Sequence, residues 1–134
     1  MTQSPRSSPR AEHLQQQKLL VEASPLMADK FPELKALTID LGYYDSEGFA
    51  RCSQIKYTFN LEHAKSMFCV ACQNQECVRG DFELSAAIAG AVAARETSVS
   101  GEIRCRGWRS RTTIDTVPCR NLLRYTLTLD YHGA

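Results

Sequence analysis

A chain of 134 residues with 16 basic and 15 acidic side chains has a formal charge of +1, so no global charge draws it to nucleic acid or to a membrane surface. Its longest early apolar run is Leu19-Leu20-Val21. A signal-peptide core needs about 7–15 apolar residues and a membrane span about 20, so the sequence predicts a cytoplasmic protein with no membrane partner.

Residues 1–10, MTQSPRSSPR, hold almost nothing apolar and read as a disordered basic tail. Residues 11–23, AEHLQQQKLLVEA, can form a short helix with Leu14, Leu20 and Val21 on one side, broken by Ser24-Pro25. This suggests a disordered or weakly helical tail over residues 1–26 and one domain over residues 27–134. Met27 is a candidate natural start.

Leu37–Leu41 reads as a short strand, and GYYDSEG as a turn bracketed by Gly42 and Gly48. Phe49–Phe59 is a second strand, residues 60–66 a polar connection, and Met67–Ala71 a third, short strand. Residues 81–95, DFELSAAIAGAVAAR, repeat Leu84, Ile88 and Val92 at helical spacing, with Asp81 as the expected N-cap. Val99–Trp108 and Arg120–Tyr131 alternate apolar and polar residues, as strands with one buried face do. The polar link 109–118 would join them as a long-looped hairpin. The order β-β-(β)-α-β-β predicts an α+β domain, an antiparallel sheet of four to five strands with one main helix packed on it.

Six cysteines in a reducing compartment favour metal or redox use over disulfides. Pairing of the last two strands brings Cys105 and Cys119 near each other. Cys105 shares parity with Ile103 and Cys119 with Leu123, so both point to the helix side. The loop from Cys72 to Cys77 lies just before the helix. The expected metal ligands are therefore Cys72, Cys77, Cys105 and Cys119, holding a structural zinc ion with a closed tetrahedral shell. Amides at the helix start would help hold the thiolate charge. Cys69, at x2 spacing from Cys72, is the substitute ligand, although strand alternation would send the two to opposite faces. Cys52 reads as a core or surface thiol, and His63 as a surface residue or spare ligand. Other outcomes stay open: free thiols, a Cys105–Cys119 disulfide, an iron–sulfur cluster, or a thioredoxin-type pair at Cys69 and Cys72. A nucleic-acid zinc knuckle fails on spacing, because Cys77 and Phe82 stand where His and Cys belong.

The stretches CQNQECVRGDFELS, GEIRCRGW and PCRNLLRYTLTLDY resemble small bacterial four-cysteine proteins across roughly residues 66–131. That resemblance implies the same four cysteines and brings no activity with it.

Residues 98–134 hold six Arg against Glu102, Asp115 and Asp130. On strand parity Arg104, Arg106 and Trp108 share a face with Arg120 and Arg124, and Arg109 and Arg111 extend it into the link. Such a face could bind single-stranded nucleic acid or an acidic protein surface, or it could be a solvated sheet face with Trp108 packed on Arg side chains. No Ser/His/Asp set, phosphate-cradling glycine loop or HExxH is present, so neither an enzyme nor a small-molecule substrate is expected. The predicted function is a non-catalytic zinc-stabilised binding or adaptor module, with a thiol/zinc redox-responsive switch as the alternative.

Overall fold

The computed structural model describes residues 9–48, 51–73, 77–78, 80–110 and 116–133. Its elements in chain order are α1 (Pro9–Ala23), α2 (Met27–Lys30), β1 (Leu34–Tyr44), β2 (Arg51–Thr58), β3 (Cys69–Ala71), β4 (Cys77–Val78), β5 (Asp81–Glu83), α3 (Ser85–Ala93), β6 (Ser98–Arg104), β7 (Trp108–Ser110), β8 (Thr116–Pro118) and β9 (Leu122–Tyr131). The fold is α+β, centred on an antiparallel four-stranded sheet of order β2-β1-β9-β6.

Strand alternation sets the two faces of this sheet. Ile39, Leu41, Tyr43, Leu123, Leu127, Leu129 and Tyr131 are buried on one side. Against them pack Met27, Phe31, Phe82, Leu84, Ile88, Ala91 and Val92, in one continuous core. The opposite side carries the exposed Arg124, Thr128 and Asp130. Tyr131 ties the sheet to the end of α3, its hydroxyl lying 3.2 Å from the Ala91 carbonyl and 2.7 Å from that of Glu96.

Three local expectations change. The helix expected over 81–95 spans only Ser85–Ala93. Asp81-Phe82-Glu83 instead pairs with Ala71-Val70-Cys69, which buries Phe82 to 1% exposure. Asp81 is thus a strand residue and Leu84 holds the N-cap position, without a side-chain cap bond. Gly42 lies inside β1 rather than opening a turn; the turn follows at Asp45–Gly48, where Asp45 Oδ1 accepts the Gly48 N–H at 2.8 Å and Gly48 has φ 79°. Phe49 falls outside the described residues.

The last two long strands pair as expected, Ile103 opposite Leu123 and Arg104 opposite Leu122. Their link contains a second hairpin, β7 with β8, and β4 adds to its edge. At the other end of the chain, residues 9–23 form the 15-residue helix α1, which rests on β3 and β4. Residues 1–8 lie outside the described part. No helix among the described residues is long and apolar enough to cross a membrane.

Candidate metal centre

Each cysteine of the expected set stands at or beside the end of a strand. Cys72 follows β3, Cys77 opens β4, Cys105 follows β6 and Cys119 follows β8. The two halves are built alike. The Cys72 N–H donates to the carbonyl of Gly80, three residues past Cys77, at 3.0 Å. The Cys119 N–H donates to the carbonyl of Gly107, two residues past Cys105, also at 3.0 Å. A further bond, from the Cys105 N–H to the Asn121 carbonyl at 2.8 Å, fixes the second half to the start of β9.

These bonds bring the four sulfurs together. All lie within 4.8 Å of one another. Cys72 and Cys119 Sγ are 3.7 Å apart, and Cys77 and Cys105 Sγ 3.5 Å. Four sulfurs around one ion at about 2.3 Å would sit roughly 3.8 Å apart, whereas a disulfide needs about 2.05 Å. The four residues are 0–4% exposed, and none of them forms a disulfide. The set can hold a metal ion, and its sulfur chemistry suits a soft or borderline cation.

Two glycines shape the cradle. A Cβ on Gly80 would stand 2.1 Å from Cys77 Sγ and 2.6 Å from Cys105 Sγ. A Cβ on Gly107 would stand 2.6 Å from Cys77 Sγ and 2.7 Å from both the Gly80 Cα and the Gly80 N. The sulfurs occupy the space that any side chain at these positions would fill. The sequence reading missed both residues. Their signal is the glycine shortly after a cysteine, in Cys77-Val-Arg-Gly80 and Cys105-Arg-Gly107.

Burial pushes the Cys77 thiol up from its ordinary 9.0 to about 12, since a thiolate loses its water there. A bound cation reverses that preference by stabilising the thiolate directly. The Gly107 N–H donates to Cys105 Sγ at 3.4 Å. This donor belongs to the hairpin link, not to the helix start from which thiolate-stabilising amides were expected; α3 begins four residues beyond Asp81.

Cys69 stands outside the sulfur group. It pairs with Glu83 in the β3–β5 ladder. Burial first, and then the neighbouring Asp81 carboxylate, push its thiol up to about 12. His63 is exposed in the turn after Asn60. Cys52 lies in β2, and its side chain is outside the described part.

The arginine residues separate from the tryptophan. Regular pairing of β6 stops at Arg104, and the chain bends through Cys105-Arg106-Gly107 to enter the sulfur cluster. Trp108 therefore belongs to the small sheet, opposite Val78 and Pro118, and does not share a face with Arg104 and Arg124. Arg124 donates to Glu102 at 2.9 Å and lies 4.5 Å from the centre of the Tyr44 ring. Arg104 donates to the carbonyls of Ser46 and Arg120, at 2.7 and 3.1 Å. Arg106 and Arg120 are exposed, the latter with φ 55°. Arg111 lies outside the described residues, as does the side chain of Arg109.

Neither a family model, nor a curated protein, nor a solved structure matches this chain.

Proposed function

We propose that this chain is a non-catalytic binding or adaptor module whose fold is stabilised by one zinc ion on Cys72, Cys77, Cys105 and Cys119. The observation that carries the reading is the group of four buried sulfurs within 4.8 Å of one another. Zinc takes four thiolates in a tetrahedral, closed shell, which leaves no position for a substrate. Such an ion contributes roughly 10–16 kcal/mol in small zinc peptides, comparable to the whole stability of a domain. The redox-switch alternative draws less support, because sulfurs that are 0–4% exposed meet oxidants poorly. Metal analysis with a free-thiol count, on protein purified without chelator, tests the reading. One zinc per chain with four thiols shielded until denaturation is the expected result. A folded protein that carries no metal as purified and takes up none when zinc is added would overturn it.

The partner surface of such a module is the basic end of the sheet, at Arg104, Arg106 and Arg120. An acidic protein surface suits it better than single-stranded nucleic acid, since Trp108, the base-stacking candidate, sits in the other sheet. A labelled poly-glutamate peptide at low salt should bind, and Arg104→Glu with Arg120→Glu should abolish that binding. Tighter binding of a labelled single-stranded oligonucleotide would reverse the assignment.

A further inference from the structure

We infer that Arg10 is a positioning residue for the sulfur cluster, through which helix α1 docks on the cysteine loop and slows release of the ion. The inference rests on the zinc reading above. Arg10 Nη2 donates to the Cys72 carbonyl at 2.6 Å, and Nη1 donates to the Cys77 carbonyl at 3.1 Å. One guanidinium fork thereby spans the two ends of the loop that carries two of the four sulfurs. A rigid planar fork suits this task, because its donors are set at a fixed separation.

Charge points the same way. One zinc ion with four thiolates carries a net charge of about −2. The Arg10 cation sits against the backbone of two ligand residues. Residues that hydrogen-bond the frame of a metal site set ligand geometry, and their loss typically lowers metal affinity about 10–100-fold.

The rest of the helix is seated in a way that makes this contact decisive. Beside the contact of α1 with β3, a partly open cavity of about 340 Å³ is lined in part by Leu14, Val21, Cys69 and Val70. Leu19 and Leu20 face outward, at 56% and 54% exposure. The Gln17 Oε1 is buried and finds no hydrogen-bond partner among the described residues. Apolar packing under α1 is thus incomplete. Polar contacts hold its first turns: Arg10 on the two carbonyls, and a hydrogen bond between His13 Nε2 and Asp81 Oδ2 at 2.8 Å. When the loop ends lose their fixed separation, the fork can no longer reach both carbonyls. Coupling of this kind is reciprocal: whatever factor the docked helix adds to ion retention, the ion adds to helix docking.

The test compares the zinc-loaded full chain with Arg10→Ala and Arg10→Lys. It reads zinc transfer to a colorimetric chelator and amide exchange over residues 14–22. Arg10→Ala should keep one zinc per chain, pass it to the chelator at least about tenfold faster, and exchange the α1 amides correspondingly faster. Arg10→Lys keeps the charge but not the fork, and should fall between the two. Stripping zinc from the unsubstituted protein should free α1 as Arg10→Ala does. Unchanged zinc transfer in Arg10→Ala, whether or not α1 is freed, would overturn the inference while leaving the zinc reading intact. A parent protein that carries no zinc would instead overturn the zinc reading, and this inference with it.

Discussion

Gly80→Ala tests the sulfur cradle with a single methyl group. The new Cβ would lie 2.1 Å from Cys77 Sγ, 2.6 Å from Cys105 Sγ and 3.0 Å from Cys72 Cβ. Non-bonded heavy atoms settle at about 3.5–4.0 Å, so Cys77 Sγ would have to retreat by more than about 1 Å. A metal site tolerates about 0.2 Å. Gly80 cannot yield either, since its carbonyl accepts the Cys72 N–H and its backbone packs on Gly107. Ordinary overpacking costs about 1–3 kcal/mol. On the zinc proposal, losing even part of the ion's contribution adds to that, so the change should destabilise by at least about 3 kcal/mol, or about 10 °C in Tm. The control is Gly90→Ala in α3, where a Cβ meets nothing within 4 Å. It should be neutral or stabilise by up to about 1 kcal/mol. Thermal melts and metal analysis of the two variants decide the matter. A Gly80→Ala protein that melts with its parent and holds one zinc would refute the packing argument.

Cys72→Ser and Cys119→Ser should each lose the ion and most thermal stability, while Cys69→Ser and Cys52→Ser keep both; equal tolerance at all four positions, read by zinc content and Tm, would dismiss the ligand set. In chelator-treated protein the Cys77 thiol holds its proton more tightly folded than unfolded, with a folded pKa of about 12 against an ordinary 9.0. Its stabilising contribution is then present below about pH 9 and fades as pH climbs toward 12. Zinc-loaded protein should show the opposite trend on the acid side, losing its ion as protons compete for the thiolates. Melts across pH with and without chelator separate the two, and a metal-free Tm that rises above pH 9 would contradict the first. Tyr131→Phe strips the hydroxyl from the Ala91 and Glu96 carbonyls, which should destabilise by about 1–2 kcal/mol, measured by urea unfolding. Glu102→Gln breaks an exposed ion pair with Arg124 and should shift Tm by no more than a degree or two.

The long strands were legible because their signal is local. Alternation in Val99-Ile103 and in Leu123-Leu127-Leu129 states which face is buried before any partner is known. The same parity rule led to Cys105 and Cys119, which flank a hairpin whose strands could be paired on paper, and the place of the loop carrying Cys72 and Cys77, before the expected helix, added those two. Tertiary contacts decided the rest. Asp81-Phe82-Glu83 reads equally well as a helix start. Only pairing with Cys69-Val70-Ala71, which buries Phe82, makes it a strand. The alternation of β6 runs on through Cys105, but the tight approach of Gly107 to Gly80 turns the chain and carries Trp108 into another sheet. Nothing near Arg10 in the sequence announces its task, because its acceptors are backbone carbonyls 62 and 67 residues away. By itself the sequence determined the strand faces and the cysteines that could meet, both set by period and parity along the chain. The tertiary structure decided how closely they meet and what holds them, because those depend on space and hydrogen bonds between segments far apart in sequence.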